Sequence, residues 1–256
     1  MQTCFTFKVD AIGRSPVIRF PVTIFVAGSG LVNIVGLYEF MIVEDFNKET
    51  NVLTVKRGAL DTIPTQWDIN GWFFVSNADD GLFSLTGYSA GDNVRASSLT
   101  VTPSSKLAQV GSSFVSMRSR LFRPYPPANV KINGEYFPDE VETDLVITWS
   151  DRNRLNLNVI DWYSPSVTIE QNTQTHLIIS QLNESQIELA TSNANVTGAT
   201  SYTMPISSMQ ADTRFVKVAL RTVRDGYECL NPFAHTVELS QFFSAPYDLT
   251  VEFKND

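Results

Sequence analysis

The sequence predicts an all-β protein in two domains, and three observations carry that expectation. Phenylalanine is the commonest aromatic, with 17 copies, and Thr and Val recur throughout, a composition that suits pleated, half-buried strands better than helices. Short apolar runs alternate with turn residues, without a strong competing helical period. A block of prolines near the midpoint of the 256 residues separates two stretches of different strand pattern. The length accommodates two units of roughly 100–150 residues each. Apolar residues make up 43% and charged residues 18%, so each unit can bury a core and the chain is too weakly charged to be disordered.

Residues 1–120 read as a β-barrel or meander-like domain. Its strand-sized runs begin with VIRFPVTIFV, LVNIVG, YEFMIVEDF and VLTVKRG, divided by Gly28-Ser29-Gly30 and the polar turn NKETN. In VLTVKRG a two-residue period puts Val52, Thr54 and Lys56 on one face and Leu53 and Val55 on the other, dry one. GWFFVSN and LFSLTGY follow, bounded by Ala78-Asp79-Asp80-Gly81 and Ala90-Gly91-Asp92-Asn93, residues that accept tight turns. Around residues 64–68 a short helix stays open as an alternative.

Residues 121–140 change character. Pro124, Pro126 and Pro127 fix φ and remove backbone donors, which makes this a semi-rigid, extended connector. Such a connector limits the orientations two domains can sample and offers a partner a preset geometry. The alternative is an edge crossing inside one domain. Directly after it, Asn133-Gly134 in VKINGEYF is a two-residue hairpin signal.

Residues 141–241 alternate again. Leu145, Ile147 and Trp149 point one way, Val146 and Thr148 the other, before the polar turn SDRNR and the run LNLNV. THLIIS, SQIELAT, SYTMPI, FVKVALRTV and HTVELS bring the total to about seven short strands in roughly 100 residues. With an early buried Trp and a late hairpin past Asp225-Gly226, this is the pattern of a fibronectin type III-like β-sandwich. Its expected core is Leu145, Ile147, Trp149, Leu157, Val216, Val218, Leu220 and Val237. Residues 242–256 form a docking strand whose Phe242, Phe243 and Tyr247 either cover their own domain or pair with a neighbouring chain.

Charge and chemistry narrow the function. The net charge of -8 argues against direct nucleic-acid binding, which needs clustered Lys and Arg to neutralise phosphates. Cys4 and Cys229 are too few and too far apart for a disulfide framework and read as free thiols. The opening MQTCFTFKVDAIGRSP shows no basic segment before an apolar core, and no run reaches the ~18 apolar residues of a spanning helix. Synthesis and folding in a cytosol follow as the expectation, with Asn183 and Asn195 as polar loop residues in spite of their sequons.

Chemistry-bearing residues are sparse. His176 and His235 lie in strand patterns without metal-site spacing. Cys229 and His235 share one predicted hairpin, either as a thiol and its base or as a loop thiol and a strand imidazole. Asp139, Glu140, Glu142 and Asp144 form an acidic run without the glycine of a calcium loop, and Gly28-Ser29-Gly30 lacks the third glycine of a phosphate cradle. No catalytic, metal or cofactor site is expected, and the chain does not read as an enzyme. Trp67, Trp72, Tyr88, Trp162 and Tyr163 lie near turns, where they either stack on sugar rings or fill the core.

Three clusters carry a family resemblance. VKRGALDT, residues 55–62, resembles the strand-to-turn signature of tail-tip or baseplate hub proteins of long-tailed bacteriophages and gene transfer agents. FRPYPPANVKING, residues 122–134, is similar to their interdomain connector, and ITWSDRNRL, residues 147–155, to the opening strand of their fibronectin-like domain. Family members are usually far longer, so the chain corresponds either to a split gene product or to the C-terminal part of such a hub. The resemblance implies a virion tail protein assembled in the bacterial host cytoplasm. It also implies a homo-oligomer, with a trimer favoured, in contact with other phage tail or baseplate proteins and with host attachment as its task. A receptor- or carbohydrate-binding module of the tail tip is the second reading. Arg152 and Arg154 could pair bidentately with a neighbour's carboxylates, or stay solvated or form salt bridges within the domain to Asp151, Asp161 or Asp225.

Overall fold

The computed structural model describes residues 5–8, 22–27, 38–65, 72–77, 87–96, 104–105, 113–156 and 161–240, and every structural statement below concerns these. Over this range the chain is all-β, with single 3-10 turns at Arg120–Phe122 and Ile206–Ser208 beside the strands. No described helix is long and apolar enough to cross a membrane.

In the first half, β1 (Phe5–Lys8), β2 (Val22–Ala27), β3 (Tyr38–Asn47), β4 (Val52–Lys56) and β5 (Trp72–Asn77) form a five-stranded antiparallel sheet in the order β1-β4-β3-β2-β5. The β3–β4 turn is shaped by Asn47, whose side-chain oxygen accepts from the backbone N–H groups of Glu49 and Thr50 at 2.9 and 3.1 Å. The alternation expected in β4 is present: Leu53 and Val55 are fully buried while Val52, Thr54 and Lys56 are half-buried. Val55 lies opposite Val43, and Val43 with Met41 adds the β3 side of that dry face. β6 (Asn93–Ala96) and β7 (Ser113–Ser116) form a separate two-stranded ladder. LVNIVG and most of LFSLTGY lie outside the described residues.

The second half comprises β8 (Ala128–Ile132), β9 (Glu140–Val141), β10 (Leu145–Ser150), β11 (Thr173–Leu182), β12 (Glu188–Asn195), β13 (Ser201–Met204), β14 (Phe215–Arg224), β15 (Tyr227–Glu228) and β16 (Phe233–Leu239). One sheet has the order β13-β10-β8; the other has the order β12-β11-β14-β16-β9, with β15 on β14. The inward side chains of both sheets share one core, giving a sandwich-like arrangement. Leu145, Ile147, Trp149, Val216, Val218, Leu220 and Val237 are all buried in it, as their period-2 pattern requires. Each such burial contributes about 1.5–3 kcal/mol. Leu157 falls outside the described residues.

Two turns adopt left-handed backbone at both central positions, Asn133-Gly134 with φ 50 and 85 and Asp225-Gly226 with φ 48 and 82, the geometry that matches strand twist in a two-residue hairpin. Asp225-Gly226 joins β14 to β15. Asn133-Gly134 differs from expectation, because the residues after it form a single bridge, Ile132 to Glu135, and no second strand. β8 pairs with β10 instead. The Asn133 side chain helps fix that pairing: its oxygen accepts from Val146 N–H at 2.7 Å, and its nitrogen donates to Thr143 Oγ1 and the Asp144 carbonyl.

Candidate interface: an arginine-clamped junction

The loop that leaves β4, residues 57–65, turns around a buried carboxylate. Glu39 on β3 is fully buried. It accepts from Arg57 Nε at 3.0 Å, Arg57 Nη2 at 2.6 Å, Gly58 N–H at 2.8 Å and Thr65 N–H at 3.2 Å. A carboxylate can be buried only when its lone pairs are met in this way, and a charged donor makes the bonds stronger. Thr62 Oγ1 donates to the Ala59 carbonyl and accepts from Phe40 N–H, tying the loop back to β3.

Gly58 is where the loop meets the second half. Its φ is +60, and a Cβ there would come within 2.7 Å of both Pro64 Cδ and Trp162 Cβ. Glycine is required both by the left-handed backbone and by the close approach. Beside it, Trp162 N–H donates to the Arg57 carbonyl at 3.0 Å, and Ile63 packs on the core that holds Trp162. Asn231 Nδ2 donates to the Asp61 carbonyl at 3.0 Å. The half-sheet loop is thereby seated on the sandwich-like half.

The segment 118–127 lies along the same boundary and is held by side chains from four directions. Arg120 pairs with Asp61 and stacks over the Phe40 ring, 4.7 Å from its centroid. Glu170, 4% exposed, accepts from Arg154 Nε with both oxygens at 2.9 Å and from Arg224. The remaining donors of these two arginines hold the segment's backbone: Arg154 donates to the Leu121 carbonyl, and Arg224 to the Phe122 carbonyl at 2.8 Å. Thr222 Oγ1 donates to the Tyr125 carbonyl at 2.7 Å, and Arg123 to the Glu228 carbonyl at 2.6 Å. One carboxylate thus orients two guanidinium forks, and the forks fix the path of the chain.

Pro124, Pro126 and Pro127 are buried. The proline stretch, residues 124–128, therefore packs against the protein, while Leu121 and Phe122 before it are exposed. Arg152 is buried under the Tyr125 ring at 5.1 Å; burial lowers its pKa to about 10, with Tyr125 opposing the shift. Arg154 spends its donors on Glu170 and the Leu121 carbonyl of its own chain, a carboxylate other than the expected Asp151, Asp161 or Asp225. Trp162 has no exposed surface and stacks on Phe137 and Phe233 in the core, so its ring offers no face to a sugar. Tyr163 is half-buried and edge-on to Tyr136 at 5.2 Å; burial pushes its hydroxyl up to about 12, with Arg57 pulling the other way. Trp67, Phe242, Phe243 and Tyr247 lie outside the described residues, as does the side chain of Trp72, whose backbone is in β5.

Cys229 and His235 are engaged separately. The buried Cys229 thiol accepts from Thr222 N–H at 3.5 Å and is raised in pKa by burial, while His235 Nε2 bonds to the Pro138 carbonyl at 2.7 Å. Among the described residues no group of His, Cys, Asp and Glu is placed to hold a metal ion. The residues that do converge, Glu39, Arg57, Gly58, Arg120, Glu170 and Arg224, were mostly missed in the sequence. Only Arg57-Gly58 carried a signal, inside the VKRGALDT block, because clamps between residues far apart in the chain leave no local spacing to read. No protein-family model matches this chain, and no curated protein matches it either.

Proposed function

We propose that the chain is a structural component of a bacteriophage tail tip or baseplate, hub-related, which acts in tail assembly and host attachment through protein–protein contacts. Its second half is then a fibronectin type III-like sandwich, its site of action is the virion tail, and it performs no catalysis. One observation carries this reading beyond the resemblance itself. Two of the hub-like blocks touch directly in the arginine-clamped junction, where Arg152 of the third lies over the Tyr125 ring of the second, and the first and third also reach the residues just before the second: Asp61 of the first pairs with Arg120, and Arg154 of the third holds the Leu121 carbonyl. Residues that resemble a family and also converge in space are the ones expected to set its relative domain placement. A rigid junction is what a spacer in a large assembly needs, because preset geometry lowers the ordering cost of each contact.

The test is to locate the chain in the particle. Affinity labels against a tagged chain, imaged on purified virions, should decorate the tail tip. Virions that lack the chain, or labels confined to the head, would refute the reading.

A further inference from the structure

The two edges of the larger sheet in the second half are built differently. At one edge β9 has only 2 residues, too few to template another chain. At the other, β12 runs for 8 residues and pairs only with β11 among the described strands. Its register with β11 is unbroken from Ala190 to Asn195, and just beyond it Val196 N–H donates to the Thr175 carbonyl. That bond sets the parity of the ladder: Ala190, Ser192 and Ala194 turn their backbone groups toward β11, whereas Thr191, Asn193 and Asn195 turn theirs away from the sheet. All three of the latter are exposed. Native edges are commonly blunted by charge, proline or a bulge, and the stretch from Ala190 to Asn195 has none of these.

The end at which β12 begins is acidic. Glu188 opens the strand opposite Leu182, and across the turn Asn183 N–H donates to the Ile187 carbonyl at 3.0 Å. Arg214 N–H donates to the Leu182 carbonyl at 2.8 Å, which brings the loop before β14 alongside. An open cleft of about 420 Å³ lies there, with Asn183, Glu184 and Ser185 from the turn and Asp212, Thr213 and Arg214 from the loop lining it. Glu184, Glu188 and Asp212 are exposed and form no ion pair with a described residue. Arg214, the cation beside them, is already paired with Glu238.

We propose that β12 is a docking edge for an extended, basic-ended segment of a different polypeptide, which joins the sheet as an added antiparallel strand with its C-terminal Lys or Arg residues against Glu184, Glu188 and Asp212. The backbone groups of Thr191, Asn193 and Asn195 supply the hydrogen bonds of such a strand, and their short polar side chains suit Thr, Ser or Asn opposite them. Antiparallel addition continues the pattern of β12, β11, β14 and β16. Because β12 runs away from Glu188, an antiparallel strand ends there, which places its last residues at the carboxylates. Charge selects a basic occupant over a second copy of this chain, whose net charge is -8. The inference deepens the proposed function by giving the chemistry of one partner, and rests on that reading for the partner's place in the tail.

The experiment measures binding of capped synthetic peptides to the full chain at low salt, with residue-resolved amide exchange. The probe alternates Thr and Val and ends in Lys-Lys; one control begins with Lys-Lys instead, and another ends in Glu-Glu. The probe should bind about tenfold more tightly than either control and slow exchange at Thr191, Asn193 and Asn195. Asn193→Pro removes an N–H that faces away from β11, so thermal unfolding should be unchanged while probe binding falls at least tenfold. Replacing Glu184 and Glu188 by Lys should reverse the preference toward the Glu-Glu peptide. No binding, equal binding of the probe and the control that begins with Lys-Lys, or full binding by the proline variant would overturn the proposal. So would slow exchange at those three amides without peptide, which would mean that the edge is covered by residues 241–256 or, where dilution restores exchange, by a second copy. These outcomes are read on the isolated chain and are separate from the tail-tip reading, which stands or falls with the labelled virions.

Discussion

Glu39 and Glu170 are both buried carboxylates, at 0% and 4% exposure, clamped by arginine at two points of one junction, yet they are met by different partners. Glu39 accepts from one arginine and from the main-chain N–H groups of Gly58 and Thr65. Glu170 accepts from Arg154 and Arg224, whose other donors reach the carbonyls of Leu121 and Phe122. The first carboxylate shapes the loop that contains its own donors. The second acts at one remove, by orienting side chains that hold a distant segment. Their replacement should therefore have different consequences: local collapse in one case, loosening of a boundary in the other.

The largest effect expected is at the first clamp. Glu39→Ala removes the acceptor of Arg57 and of the backbone N–H groups of Gly58 and Thr65 and should lower stability by about 3–5 kcal/mol in urea unfolding. Glu170→Ala should lose only about 1–3 kcal/mol, since the donors it leaves are arginine side chains that can re-aim rather than main-chain N–H groups fixed in a loop. Equal losses would break the comparison. Gly58→Ala should come next at about 2–3 kcal/mol, from overpacking against Trp162 and Pro64 in addition to left-handed backbone. Thr222→Val removes the donor to the Tyr125 carbonyl and should cost about 1 kcal/mol, with faster amide exchange confined to the segment around Tyr125. A loss spread over the whole chain would show that the segment is not held separately.

Alkaline pH sharpens the contrast with a smaller effect. Burial raises the Tyr163 hydroxyl from 10.0 to about 12. Between those values the folded chain keeps a proton the unfolded chain has released, so this group's contribution to stability falls as pH rises through that window. Arg152 has the opposite sign: lowered from 12.5 to about 10 by burial, it releases its proton earlier when folded, and its burial becomes less unfavourable above about pH 10. Tyr163→Phe should remove the falling component, seen as a flatter stability curve between pH 10 and 12 than the parent's. An unchanged slope would place the titration elsewhere.

Strands were legible where one face is dry and the other wet. The alternation in β4, β10 and β14 follows from side chains pointing to opposite faces, and that pattern is local. The Asp225-Gly226 hairpin was legible for a similar reason, since few residue pairs accept two left-handed positions. Asn133-Gly134 gave the turn but not its partner strand, because the Asn133 side chain bonds across to Thr143, Asp144 and Val146, residues with no marker in the turn itself. The proline block was recognised as stiff, but its burial depends on arginines that lie up to 102 positions away. Arg152 and Arg154 could be picked out as a forked pair, but not the carboxylate and ring that receive them.

The seating of Gly58 against Trp162 has a consequence for the integrity of the molecule. The two halves grip each other through the 57–65 loop as well as through the covalent chain. Cutting the backbone near Ser119 should leave two fragments that copurify and unfold together, so the protein would withstand a nick there, and its halves made as separate polypeptides should reassemble.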